Sequence, residues 1–426
     1  MTIVIIGLLL VLLALFGAPL FVILGTIALL SFHSLDIDTA AVIVELYRIA
    51  NAPTLLAIPL FTFAGYLMAE SRTPKRLVNL SNALFGWMPG GLAIVALMTC
   101  AFFTAFTGAS GVTIVALGGL LYPVLRKEGY PEKFSLGLLT SSGSLGLLFP
   151  PSLPIILYGF VANISIDKLF LAGIVPGTLL VVLLSLFSVR KGISAGIPRT
   201  TFKWRNAIKA LRETAWELPL PFIIIGGIYT GVFTATEAAA VTAFYVLIIE
   251  VFVYRDLKLF SDVPKIMRES MLLVGGILVI LGTAMGLTNY LIDAQIPMRI
   301  LNAMQGFVSS KVLFLIMLNI FLLIVGCLMD IFSAIIVVVP LIAPIAAQFG
   351  IDPIHLGIIF LTNLEIGYST PPVGLNLFIS SFRFEKPVVK LYTAALPFLA
   401  ILIVALLIIT YVPELSLWLV NIVGGQ

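Results

Sequence analysis

Apolar runs long enough to cross a bilayer, separated by short polar segments, dominate the chain and predict an all-helical membrane protein. The alternating ten-residue segments of a membrane β-barrel are missing from the pattern. Spans are predicted at residues 3–30, 52–69, 134–160, 169–189, 214–233, 236–254, 270–291, 354–381 and 392–412. Residues 39–50 place Glu45 and Arg48 on one side of an otherwise apolar stretch, which predicts a helix lying in the interface. Residues 90–125 and 311–347 read differently. Each holds two apolar arms around a polar tip, Thr107-Gly108-Ala109-Ser110-Gly111 in the first and Gly326 to Ser333 in the second. Arms shorter than the ~20 residues of a full crossing predict re-entrant hairpins.

Two spans carry a break at their middle. Residues 140–159 interrupt an apolar run with Gly143, Gly146, Pro150 and Pro151, and residues 361–380 do so with Gly367, Pro371, Pro372 and Gly374. Proline removes a backbone donor and clashes with the preceding turn, so each helix must open there. In lipid an opened backbone is tolerated only where it is buried in protein or lines a cavity. Paired interruptions in corresponding halves point to a transporter's binding site.

The halves are related by a fixed offset. Pro371 lies 221 positions after Pro150, and at that offset Pro123 meets Pro344, Gly129 meets Gly350 and Gly146 meets Gly367. Gly65 and Gly286 extend the match upstream. The expected organisation is a first repeat over residues 1–212, a connecting span over 213–235 and a second repeat over 236–426. The first repeat contributes an even number of crossings and the connecting span one more, so the second repeat is expected to be inverted. Basic loops after residues 71, 125, 189, 254 and 382 then share one side. The positive-inside rule makes that side the cytoplasm, with the N-terminus inside and the C-terminus outside. No basic leader or small-residue cleavage site precedes the first run, so it is expected to be a retained span.

Composition narrows the chemistry. Of 426 residues, 61% are hydrophobic and 10% charged, against roughly 25% charged in a soluble domain. The net charge of +4 comes from Lys and Arg in loops and gives no ground for nucleic-acid binding. Cys100 and Cys327 sit in apolar stretches and read as small buried hydrophobes. His33 and His355 have no ligand at metal spacing, so no metal beyond a coupling ion is expected. There is no phosphate-binding Gly-x-x-x-x-Gly-Lys motif, which excludes ATP as the direct driver. No catalytic constellation is present, and an enzyme is not expected.

The candidate site is therefore main chain and small polar groups. Helices restarting after Pro150-Pro151 and Pro371-Pro372 leave free N–H groups that can face an anion. Preceding loops can turn carbonyls toward a hard cation such as Na⁺. The candidate ion and substrate residues are Thr107, Gly108, Ser110, Gly111, Gly143, Ser144, Gly146, Pro150 and Pro151. From the second half come Met329, Asp330, Asn363, Gly367, Thr370, Pro371 and Gly374. Asp330 in an apolar stretch reads as a ligand or as a hairpin cap, and Glu365 as a ligand or a scaffold partner. Glu237, in the Thr234 to Glu237 turn, reads as structural.

These motifs in series resemble the large membrane subunit of TRAP transporters, over essentially the whole chain. The resemblance rests on Gly91-Gly-Leu-Ala, Thr107-Gly-Ala-Ser-Gly, Gly146-Leu-Leu-Phe-Pro-Pro-Ser, Leu171 to Gly177, Gly231 to Ala239, Gly350 to Gly357 and Thr370-Pro-Pro-Val-Gly374. It implies an elevator-type, Na⁺-driven permease of a bacterial inner membrane that takes up an organic anion, mainly a carboxylate. A periplasmic substrate-binding protein and a small four-span membrane subunit, expected as a separate chain, would be its partners. The hairpins and broken helices would form the moving transport domain. The chain departs from the family's usual pattern at Gly108-Ala109-Ser110 and at Phe149. The alternative within transport is a stand-alone Na⁺/carboxylate symporter of related build.

Overall fold

The computed structural model describes residues 18–34, 37–197, 201–304 and 310–423, with isolated positions before 18. The predicted first span is described from Leu20, in the helix Leu20–Ser34, and its residues 3–17 otherwise fall outside, as does Arg199 of the basic loop. The described residues form helices and turns with no strand. Among them, seven helices are long and apolar enough to cross a membrane. An eighth crossing is supplied by the pair Glu132–Leu148 and Leu153–Ala162, bent by 47° at its break. The protein is a multi-pass membrane protein.

One series of elements occurs twice. Hairpin arms Gly91–Thr107 and Ser110 to Lys127 precede the broken helix Glu132–Ser142 and Leu153–Ala162, and the long helix Ile166–Ser194 follows. Hairpin arms Lys311–Leu328 and Ile331–Gln348 precede the broken helix Pro353–Gly367 and Leu375–Phe384, and Val388–Tyr411 follows. Packing is reciprocal. Leu153–Ala162 lies on the second hairpin's outgoing arm, and Leu375–Phe384 lies on the first hairpin's. Gly129 and Gly350, matched in the sequence, both take positive φ at equivalent helix ends. Each hairpin turns in two residues, Gly108-Ala109 and Met329-Asp330.

In the first hairpin the outgoing arm contains a π-helical turn, Ile114–Gly118. There the Val115 carbonyl accepts from Arg383 Nε at 2.8 Å, so the side chain ties the second broken helix to the first hairpin.

The sequence reading is corrected at four places. Residues 71–89, read as a basic loop, contain the helix Thr73–Phe85. Trp204–Glu213 likewise forms a helix within the long basic segment. Each buries a narrow stripe, Leu77 and Leu80 in one and Ala207 and Ala210 in the other, and the two pack together. The predicted span at 214–233 is helical only over Pro219–Tyr229, 11 residues, or about 16 Å of rise, too short to cross alone. The span predicted at 270–291 runs from Asp262 to Asp293, and a short helix, Ile296–Met304, follows it.

Outside the repeated series, Pro53–Glu70, Ala235–Val253 and Asp262–Asp293 form a packed group. The interfacial helix Ala40–Ala50 lies against Asp262–Asp293. Thr234 and Glu237 form a reciprocal capping box at the start of Ala235–Ile248, the structural role read for Glu237.

Arg76, on Thr73–Phe85, joins this group through three acidic side chains. It bonds Glu217, lies 3.0 Å from Glu250 and 2.5 Å from Asp256, and sits under the Tyr254 ring at 3.8 Å. The carboxylates of Glu217 and Glu250 are 2% and 1% exposed, so Arg76 is what makes their burial tolerable. A second tie holds the repeated series together: Glu132 accepts from Lys386 at 3.1 Å and Lys390 at 2.9 Å.

Arg76→Ala leaves buried carboxylates unpaired and is expected to cost about 3–5 kcal/mol, read as a large fall in the thermal unfolding midpoint in detergent. A midpoint within a degree of wild type would show the knot to be dispensable. The two lysines hold the Glu132 carboxyl down at about 2 from an ordinary 4.5. A lowered folded-state value stabilises above the unfolded one, so this tie is complete above 4.5 and is lost as pH falls toward 2. Glu132→Gln should therefore flatten the acid limb of a stability-versus-pH curve and leave the limb above neutral pH unchanged.

Candidate functional site: two backbone breaks in contact

The first tip is built for close approach. Gly91–Thr107 ends at Gly108 with φ +63°, a left-handed turn that a Cβ could not share with the Leu153 side chain. Thr107 and Ser110 flank it, both buried, and the Thr107 hydroxyl has no partner among the described residues. A Cβ at Gly111 would lie 2.7 Å from Ile379 of the second broken helix. Gly65 brings the helix Ala57–Glu70 against the tip, where a Cβ would stand 2.5 Å from the Phe106 carbonyl oxygen.

The first break faces that arm. Helix Glu132–Ser142 gives way to a 3₁₀ turn, Leu145–Leu148, and resumes at Leu153 after Pro150 and Pro151. Gly146 packs backbone to backbone on Ala101 and Ala105. The carbonyl of Gly143 accepts from the Thr104 hydroxyl at 2.9 Å, and that hydroxyl meets Thr113 Oγ1 at 2.7 Å. Both prolines are buried. Beside Pro150 an apolar cleft of about 290 Å³ opens toward Pro221 and Ile225, with Phe149 in its wall.

The second break repeats the plan with different exposure. Gly367 lies on Gly326, where a Cβ would come within 2.6 Å of main chain. Gly374 N donates to the Cys327 carbonyl at 3.0 Å, so the break closes on the second hairpin through backbone. The Tyr368 hydroxyl accepts from Ile331 N at 2.6 Å. Here Thr370, Pro371 and Met329 are half-buried, while Pro372 and Asp330 are exposed. One break is sealed and the other reaches a surface.

The structure sorts the polar candidates. Asp330 takes the cap role. Its carboxylate accepts from Phe332 N and Ser333 N, each at 3.0 Å, and from the Ser333 hydroxyl. Asn363 stands apart from the tip. It donates to Asn319 Oδ1 at 2.7 Å, in a buried chain that continues through Thr410 to His355 and Ser416. Glu365 is 1% exposed, and neither carboxyl oxygen has a partner among the described residues.

The two breaks touch each other. The Ser144 hydroxyl donates to the Glu365 carbonyl at 3.3 Å. Asn376 Nδ2 reaches the Thr140 carbonyl at 3.3 Å and Ser144 Oγ at 3.4 Å, and Thr140 Oγ1 donates to Ser380 at 2.9 Å. Sequence reasoning missed Asn376 and Thr104. An asparagine two residues beyond the glycine of the second break, in an apolar run, was the available signal. Thr104 looked like any hydroxyl that bonds its own helix.

Comparison with known proteins fits this geometry. A family model described as "Tripartite ATP-independent periplasmic transporter, DctM component" matches residues 6–415. The chain is 40% identical over 405 residues to the C4-dicarboxylate TRAP transporter large permease protein of Pseudomonas aeruginosa, covering 94% of this chain and 93% of that one. It is 33% identical to the ectoine/5-hydroxyectoine TRAP transporter large permease protein of Ruegeria pomeroyi, covering 96% of each. Among solved structures, the YdaH transporter of Alcanivorax borkumensis superposes with a TM-score of 0.61 at 15% identity, covering 90% of this chain and 88% of that one. At that identity the likeness concerns the fold.

Gly367→Ala forces a methyl into the main chain of Gly326 and is expected to destabilise by about 1–3 kcal/mol. The same substitution at Gly275, which has open space around it, should leave the unfolding midpoint unchanged. Equal midpoints for the two variants would contradict the contact.

Proposed function

Since the chain belongs to the DctM-component family of tripartite ATP-independent periplasmic transporters, and is a large permease subunit and not an enzyme, we propose that it couples a Na⁺ gradient to uptake of an organic anion, a carboxylate in the first instance. The observation that carries this reading is the buried contact between the two breaks through Ser144, Asn376 and Thr140. Unwound main chain in an apolar medium needs partners, and here the partners are each other and small polar groups, an arrangement that an ion can join.

Coupling ions occupy the loops at Thr107 to Gly111 with Gly143 to Gly146, and at Met329 and Asp330 with Gly367 to Gly374. The substrate's anionic group lies toward the helix starts after Pro150-Pro151 and Pro371-Pro372, entering by the exposed second break. The hairpins and broken helices move as a transport domain against Pro53–Glu70 and Asp262–Asp293, as an elevator. The repeats are inverted, with the basic loops and the N-terminus on the cytoplasmic side of a bacterial inner membrane. A small membrane subunit completes the scaffold, and a periplasmic binding protein selects and delivers the substrate.

The test is uptake by vesicles holding the chain with both partners, with and without an inward Na⁺ gradient. Gradient-independent uptake, or uptake without the binding protein, would refute this reading and favour a stand-alone symporter. Asp330→Asn keeps an N-capping oxygen and removes the charge, whereas Asp330→Ala removes both. Weaker Na⁺ dependence in both variants assigns Asp330 to the ion. A defect in Asp330→Ala alone, with about 1 kcal/mol of lost stability, assigns it to the cap only.

A further inference from the structure

Ser144 and Glu365 are separated by 221 positions, the offset that relates the two repeats, and they are in direct contact. Two equivalent positions that touch lie where a twofold relating the halves would pass. At that point the first repeat supplies a hydroxyl and the second a carboxyl.

The polar groups around Glu365 are committed elsewhere. Ser144 Oγ turns to the Glu365 main-chain carbonyl, not to its carboxyl. Asn376 Nδ2 goes to Thr140 O and Ser144 Oγ, and Thr140 Oγ1 goes to Ser380. The elements packed on Pro353–Gly367 bring no compensating charge near its middle. Away from their ends, their titratable groups are Tyr158 and Cys327, both neutral. Asp167, Lys168, Lys311, Asp330 and Lys390 sit at the first turns of their helices or cap them. Arg190 and Lys191 lie in a last turn, Tyr392 and Tyr411 near the two ends of Val388–Tyr411, and Glu414 at the start of the final helix.

An ionised carboxylate without donor or counter-charge is not sustained in such a place. It must hold a cation. Na⁺ needs several oxygens around it, and the side-chain oxygens within reach are turned away, whereas a proton needs only the carboxyl.

We propose that Glu365 is a proton-binding site, loaded in the arrangement described here, at the point where the two repeats meet. The proton sits on one carboxyl oxygen and leaves to water only when the two breaks part, so proton occupancy and the contact between the breaks are linked. The site is separate from the Na⁺ loops proposed above and does not depend on them.

The full chain, purified with its small membrane partner, is examined by infrared spectroscopy at neutral pH. The expected result is a carbonyl-stretch band of a neutral carboxylic acid, lost in Glu365→Gln. In vesicles with the binding protein, wild-type uptake should fall as pH rises through the titration of that band, and Glu365→Gln should show no such fall. The same band in both proteins, or the same pH profile, overturns the proposal. Glu365→Met is the second variant, because a neutral group without partners is replaceable by an apolar one of similar volume. If neither variant assembles, the carboxyl has ionic partners and the proposal is overturned. Wild-type uptake indifferent to Na⁺ would refute the sodium reading and leave the band, and so the proton site, standing.

Discussion

An unpaired main-chain N–H or C=O cannot be left in hydrocarbon, and the whole architecture follows from how two broken helices meet that demand. Each break is closed from two directions. The hairpin of its own repeat approaches so tightly that glycine faces main chain, as at Gly146 with Ala101 and at Gly367 with Gly326. The break of the other repeat supplies small polar side chains, through Ser144, Asn376, Thr140 and Ser380. Neither repeat satisfies its own break alone, so the two form one body.

That dependence explains the choice of residues. Serine, threonine and asparagine are short enough to serve the backbone without pushing the helices apart, and glycine removes the side chain where even a methyl would collide. Longer charged groups are placed where water reaches. Glu132 with Lys386 and Lys390 sits at the helix ends of the repeated series, and the Arg76 knot fastens Thr73–Phe85 to the helices outside it. The buried middle stays adaptable through weak polar contacts, while the edges are fixed by ionic ones.

Much of this was legible before any coordinate. Proline pairs inside apolar runs announce an opened helix, because the ring removes a donor whatever surrounds it. The offset shared by Pro150, Gly146 and Gly129 with their partners announced the repeated order of elements. Thr73–Phe85 and Trp204–Glu213 were read as loops because Lys and Arg on their wet faces masked a narrow apolar stripe. Asp330 and Glu365 were both left open, since an acidic residue in an apolar run looks alike as a cap and as a buried group. The structure separates them through accessibility: one is an exposed cap and the other is enclosed.

By itself, then, the sequence determined the membrane class, the places where helices must break and the existence of two related halves. Each of these follows from covalent geometry and local hydropathy. Which polar group faces which was decided only by the tertiary structure. Ser144 meets Glu365, Asn363 belongs with Asn319 and not with the tip, and one proline pair is sealed while its counterpart is open. The reason is that partners 44 to 240 residues apart are brought together by packing between elements, and no local property of the chain encodes that distance.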